Sequence, residues 1–359
     1  MDVLIKNNII KKNKMIVDIG TFATKVMEVH YAAKKITIMS ARTIDNRQVM
    51  DNGEINYNEL ARKIYMEKRG TGKKDVSISL PANLCENKII NIKNKKESEI
   101  QKIIKKDHLN FGKANPLTHV IDYAFLGKRE EQGDTVFYFL ITAVQKSVVN
   151  EIIAAFNEYK MKIKTIVSSV YNQICLSKLF FDDYENLNRL FIDFGTRTTR
   201  ITAFAEGCGV YTRNLDFGFN QIIEKLFQTQ SLANKPEVVS AVNKVGYYML
   251  EDTKGYECFN VGAYNNTIED VSAELFKEIR RVIDLCESND TEISKIYITG
   301  FVMPKMAEKI GEETGVKAQQ VKFGAFDDKT GDGYILEIDD TQLGAEYSNA
   351  LGLAIYPML

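Results

Sequence analysis

Hydrophobic positions along this chain follow two rhythms. Residues 16–29, IVDIGTFATKVMEV, are an apolar run, a Gly-Thr turn and then alternating apolar and polar positions. That order predicts a strand, a tight turn and a returning strand. A further alternating strand is expected at 35–39. Residues 191–204, FIDFGTRTTRITAF, repeat the pattern. The offset that carries Asp18 onto Asp193 also carries Gly20 onto Gly195, Thr21 onto Thr196 and Thr24 onto Thr199. Lys25 then falls on Arg200, and Val26 on Ile201. After the second copy a strand is expected at 209–214 and a helix from about Phe219. Self-similarity of this kind predicts a duplicated, two-lobed α/β protein.

The helical rhythm is strongest at 271–286, VSAELFKEIRRVIDLC, which predicts an amphipathic helix facing a core. Next comes an apolar strand at 292–301 ending in Thr299-Gly300, then Pro304 and a helix over 305–314 closed by Gly315. Within the first half, a helix is expected at 97–109 and strands at 119–126 and 136–143.

A length of 359 residues suits two or three packed subdomains. Lys and Arg total 47 against 48 Asp and Glu, so no basic excess exists to displace counterions from nucleic acid, and none is expected as a partner. No apolar run approaches the ~18 residues of a membrane span. The first residues lack the apolar core and cleavage site of a secretory signal. The five cysteines form no CxxC pair and are expected to be reduced, buried thiols.

The paired turns carry the candidate chemistry. Gly20 and Gly195 let backbone amides approach an anion, and successive amides there form a nest. Thr21, Thr24, Thr196, Thr198 and Thr199 add hydroxyl donors. Asp18 and Asp193 would repel a phosphate directly but could hold Mg²⁺, directly or through water. One turn from each half would clasp a polyphosphate. The strand, glycine turn and helix around Gly300 offer a seat for a nucleotide base and ribose.

Two Asp-x-Gly-Thr hairpins and a strand-Thr-Gly-helix unit, in that order, resemble the two phosphate motifs and the adenosine motif of the actin-like ATPase superfamily. Within it the chain resembles the PilM family of type IV pilus assembly. MDNGEINYNELARKI at 50–64, VSISLPANLCENKIINIK at 76–93, the stretch 135–166 and YSNALGLAI at 347–355 carry that likeness. The FtsA family shares the position of the insertion but ends in a basic amphipathic helix, whereas this sequence stops at LGLAIYPML.

The resemblance implies an actin-like, ribonuclease H-like fold. Residues 15–83 and 163–185 would form the first lobe, 84–162 an inserted α+β subdomain, and 186–359 the second lobe. The last strand or helix could return to the first lobe, and 1–14 would be an N-terminal extension. It implies ATP or ADP with Mg²⁺, with Ala23 and Lys25 joining the phosphate set and Gly300, Phe301 and Met303 at the base and ribose. The family's water-positioning Glu falls on Asn172-Gln173, leaving Gln173 and Asp193 as the candidate catalytic residues and implying weak or absent ATPase activity. The implied role is a cytoplasmic adaptor at the inner face of the membrane. It would bind the N-terminal peptide of a PilN-like membrane protein, in a groove between the first lobe's core and the insertion. It would link that complex to the pilus motor ATPase and platform protein, with self-association possible. The competing readings are a filament-forming FtsA- or ParM-like protein and a small-molecule kinase.

Overall fold

Both expected hairpins form. The structure, a computed structural model, describes residues 12–32, 35–67, 74–93, 102, 112, 114–179, 188–229, 235–247, 260–321, 323, 335–338 and 343–356. The strands are β1 (Lys12–Ile19), β2 (Ala23–Ala32), β3 (Lys35–Asp45), β4 (Met50–Asp51), β5 (Glu54–Ile55), β6 (Lys74–Leu80), β7 (Glu86–Lys93) and β8 (His119–Glu131). They continue with β9 (Asp134–Gln145), β10 (Met161–Ser168), β11 (Arg189–Phe194), β12 (Thr199–Ala205), β13 (Cys208–Leu215), β14 (Lys295–Gly300), β15 (Ala318–Gln320) and β16 (Ile335–Ile338). The helices are α1 (Tyr57–Met66), α2 (Lys146–Glu158), α3 (Ser169–Leu179), α4 (Phe219–Thr229), α5 (Lys235–Val245), α6 (Val261–Glu287), α7 (Met306–Thr314) and α8 (Ser348–Ile355). The expected helix at 97–109 lies, apart from Lys102, outside the described residues.

The chain divides into two units. The first comprises residues 1–184, 207–209 and 323–359; the second, 185–206 and 210–322. The second lobe is expected over 186–359 with a possible return of the last segment; residues from Phe323 onward group with the first unit. Lys12, Asn13 and Lys14, expected in the extension, are part of β1 and pair with Tyr31, His30 and Val29.

The first unit is built on a six-stranded sheet in the order β10-β6-β1-β2-β3-β16. β1 runs antiparallel to β2 and parallel to β6, so it sits at the centre, and Met15 to Ile19 are buried. Such a strand reads as a continuous apolar run because both faces are covered. Met15, Val17 and Ile19 pack with Leu60 and Ile64 of α1 and Ile152 and Phe156 of α2. Elsewhere in the unit α8, apolar nearly all round, packs against α3, and the Tyr31 hydroxyl donates to the Ala354 carbonyl at 2.7 Å. The inserted sheet, ordered β7-β9-β8, is antiparallel throughout.

In the second unit the five strands run β13-β12-β11-β14-β15. Reading the first sheet as β3-β2-β1-β6-β10 gives the same arrangement: a three-strand meander, then two strands parallel to the first. Leu190, Ile192 and Phe194 face a core built with α4, α5, α6 and α7. α6 begins ten residues before the helix expected from the sequence. Asn260 caps it by accepting from the Ala263 amide at 2.9 Å, and Tyr264 and Ile268 extend its buried stripe.

Candidate functional site

The repeat is reproduced in backbone geometry. In the first hairpin Asp18 stands opposite Lys25 and Ile19 opposite Thr24; in the second Asp193 stands opposite Arg200 and Phe194 opposite Thr199. Each glycine amide closes its own turn, Gly20 donating to the Ala23 carbonyl at 3.2 Å and Gly195 to the Thr198 carbonyl at 3.0 Å. A Cβ on Gly20 would lie 2.5 Å from the Ala23 oxygen, and one on Gly195 would lie 2.6 Å from the Thr198 oxygen. Neither turn tolerates a side chain there. The glycine amides are therefore engaged in shaping the turn. The tip residues Thr21, Thr196 and Thr198, all half-buried, are left as the candidate donors to an anion.

Thr24 and Thr199 behave differently from the sequence expectation. Both are fully buried, and their hydroxyls donate inward, Thr24 to Asn46 Oδ1 at 2.8 Å and Thr199 to the Phe217 carbonyl at 2.7 Å. They fix the turns from behind. Asn46, which the sequence did not single out, also donates to the Gly20 carbonyl at 2.7 Å, and its amide meets the Phe22 carbonyl at 2.9 Å. In the second turn the amides of Phe219 and Asn220, at the start of α4, donate to the carbonyls of Gly195 and Thr196. Gly218 packs so closely there that a Cβ would lie 2.6 Å from the Gly195 oxygen.

Charge is arranged alike in both turns. The Lys25 ammonium lies 3.7 Å from where a Gly20 Cβ would be. Arg200 Nη2 is 3.5 Å from Asp193 Oδ2, with both side chains about nine-tenths buried. Asp193 Oδ1 also accepts from the Thr299 hydroxyl at 3.4 Å. Mg²⁺ prefers near-octahedral oxygen ligation with several retained waters. Asp193, covered by a guanidinium and a hydroxyl, does not fit that demand. Among the described residues no group of three or more His, Cys, Asp or Glu is placed to hold a metal.

At the expected base seat, Gly300 has φ +84°, and a Cβ would clash with the Phe194 carbonyl, so glycine is required. The Phe301 amide donates to that same carbonyl at 2.6 Å, and its ring packs on Phe219 with centroids 5.0 Å apart. Met303 is buried in the hydrophobic core of the second unit, so its side chain is directed to packing. Asn172 and Gln173 on α3 are also buried, and Gly352 of α8 sits directly under the Asn172 carbonyl.

A second feature lies wholly in the first unit. A groove of about 590 Å³ runs between β10, the edge of the six-stranded sheet, and β8, the edge of the inserted sheet. Val120 and Phe125, 45% and 50% exposed, line it with Ile166, Val167, Tyr171 and Tyr356. The two tyrosine rings meet edge-on at 5.6 Å. Lys164 and Asp122 add one charge of each sign to the lining. Among the described residues no helix is long and apolar enough to cross a membrane, and the four described cysteines are buried thiols outside any disulfide.

Comparison with known proteins identifies the fold and the family. No curated protein matches the chain. A PilM–PilN type IV pilus biogenesis complex matches at TM-score 0.75 and 16% identity, over 98% of this chain and 100% of that one. The ethanolamine utilization protein EutJ from Carboxydothermus hydrogenoformans matches at TM-score 0.52 and 10% identity, over 98% and 92%. The fold is thus the two-lobed actin-like one. The family model for type IV pilus assembly protein PilM matches residues 16–356. The chain belongs to the PilM family of type IV pilus assembly proteins.

Proposed function

We propose that this chain is an adaptor of the type IV pilus inner-membrane platform that captures an extended, partly apolar peptide of a PilN-like partner in the β8–β10 groove. The observation that carries this reading is that two sheet edges, β8 and β10, line one trough of mixed apolar and polar character. An edge strand presents unpaired amides and carbonyls, so a peptide entering as a strand gains main-chain hydrogen bonds. Val120, Phe125 and Tyr171 would take its alternate side chains. The likeness to a complex that contains PilN supports the partner's identity. Through that partner the chain would be held at the inner face of the cytoplasmic membrane and linked to the motor ATPase and platform protein.

Nucleotide is the second ligand of this reading. Thr196 and Thr198 with the tip amides of the second turn would receive phosphates of ATP or ADP, and Gly300 and Phe301 of the same unit would border the base; Thr21 is the corresponding donor of the first turn. Turnover is expected to be slow, because Asn172 and Gln173, where the family's glutamate falls, carry no carboxylate and are buried. The test is fluorescence anisotropy with a labelled peptide from the cytoplasmic tail of the partner. Phe125→Asp and Tyr171→Ala should each weaken binding by roughly tenfold, about 1.4 kcal/mol. Wild-type affinity in both variants would place the peptide elsewhere.

A further inference from the structure

The counter-charge of the phosphate turns is built into the fold. Arg200 stands directly across the ladder from Asp193, and Lys25 directly across from Asp18, so a side-chain cation occupies the same register in both hairpins. At the second turn the cation is closely held. Asp193 Oδ2 faces Arg200 Nη2 at 3.5 Å, and Oδ1 accepts from Thr299 at 3.4 Å. Gly300 backs that same Oδ1, for a Cβ at position 300 would lie 2.9 Å from it. The side chains are 11% and 7% exposed for Asp193 and Arg200, respectively. A hydrated Mg²⁺ could reach the carboxylate only by displacing the guanidinium or by lying against a like charge. Arg is permanently protonated, so pH offers no relief. Arg197 at the exposed tip adds positive charge to the second turn without any metal.

We propose that the second turn binds nucleotide phosphate without a divalent cation, Arg200 neutralising Asp193; the first turn, with Lys25 across from Asp18, is built on the same plan. The proposal rests on the nucleotide reading above and defines its cofactor requirement. A guanidinium has five N–H donors, enough in principle to bridge a carboxylate and a phosphate oxygen at once. The Thr196 and Thr198 hydroxyls at that tip then supply neutral donors around a charge already balanced.

Calorimetric titration of the full chain with ATP, in EDTA and in excess Mg²⁺, tests this. The two Kd values should agree within about threefold. Arg200→Thr uncovers Asp193, so its ATP affinity in EDTA should fall by about tenfold and be restored by Mg²⁺. Arg200→Lys keeps the charge and should remain indifferent to the metal. The wild-type comparison needs no variant, so a poorly folding Arg200→Thr does not remove the test. ATP binding to the wild type only in Mg²⁺ overturns the proposal and leaves the nucleotide reading standing. No binding in either buffer overturns both. An Arg200→Thr chain that binds equally in both buffers overturns the role given to Arg200.

Discussion

The two turns share a motif, a register and a central clash-limited glycine, yet they are braced by different means. The first leans on side-chain hydrogen bonds: Asn46 holds Thr24 and the Gly20 carbonyl together. The second leans on backbone: Thr199 meets the Phe217 carbonyl, α4 amides reach the Gly195 and Thr196 carbonyls, and Gly218 is pressed against the turn. Duplicated halves can therefore keep a turn while replacing everything behind it. The turn is constrained by its own clash-limited glycine; its support is constrained only by the need to satisfy the same buried polar groups.

The largest effect should come from overfilling the second brace. Gly218→Val places side-chain atoms where even a Cβ would lie 2.6 Å from backbone oxygen. Because backbone cannot retreat as a flexible side chain does, a loss of about 3 kcal/mol or more is expected in urea unfolding. Among the described residues the first turn is braced by the Asn46 side chain rather than by such a glycine, so a mild phenotype would break the contrast. Next is Asn46→Ala, which strands the Thr24 hydroxyl and the Gly20 carbonyl in a buried setting. Unsatisfied buried groups cost about 1–3 kcal/mol each, and a total near 2 kcal/mol is expected by the same measurement.

Much of the turn region was legible in the sequence because its information is local. Strand, Asp-x-Gly-Thr and alternation lie within fourteen residues, and repetition doubled the signal. The bracing was not legible. Asn46 reaches Thr24 across 22 residues, and no periodicity marks a buried asparagine that closes a loop. A readable hint existed at Gly218, a glycine just ahead of the amphipathic start of α4. Nor did composition reveal that Met303 belongs to the core, since a methionine next to Pro304 suits a loop or a packing site equally. The apolar YSNALGLAI segment announced a buried helix. Its seat against α3 depends on Gly352 passing the Asn172 carbonyl, a three-dimensional fact. The same contact makes Asn172→Glu a poor route to faster hydrolysis, because it would bury a charge beside α8.

Alkaline pH should separate the units by an intermediate amount. Burial raises Tyr57 to about 12 and pushes Tyr31 and Tyr138 higher still, all in the first unit. In the second unit burial likewise raises Tyr264, whose hydroxyl donates to the Gly246 carbonyl at 2.8 Å. Each native pKa lies above the unfolded value of about 10, so the stabilisation is intact below pH 10 and is lost as pH rises toward the native values. At pH 11 each strongly shifted tyrosine should cost about 1.4 kcal/mol. With three such residues against one, limited proteolysis of the full chain at pH 11 should cut the first unit first. Simultaneous cutting would mean that the tyrosines do not set the order.

A smaller contrast concerns the two buried threonines. Thr24→Val leaves Asn46 without one partner, whereas Thr199→Val leaves the Phe217 carbonyl without its hydroxyl donor. Each should lose about 1 kcal/mol of stability with ATP affinity unchanged. Thr196→Val should do the reverse, weakening ATP with little effect on folding. A large loss of ATP affinity in Thr199→Val would return that hydroxyl to the binding set.

The smallest expected effect tests whether the first turn has any support beyond Asn46. Arg47 lies over the Phe22 ring, 4.9 Å from its centroid, and pairs with Asp45, whose side chain also accepts from the Arg47 amide. The Arg47 hydrogen bond, foremost among the influences on it, holds the Asp45 carboxyl below the usual carboxylate range. That contribution is therefore present above about pH 4 and is lost as pH falls through the lowered native value. Arg47 is exposed to water and salt, which screen such pairs strongly. Arg47→Ala should accordingly leave the melting temperature within about 1 °C of wild type at physiological salt. A large drop would show that the cation over Phe22 braces the first turn, and that its dependence on Asn46 is shared.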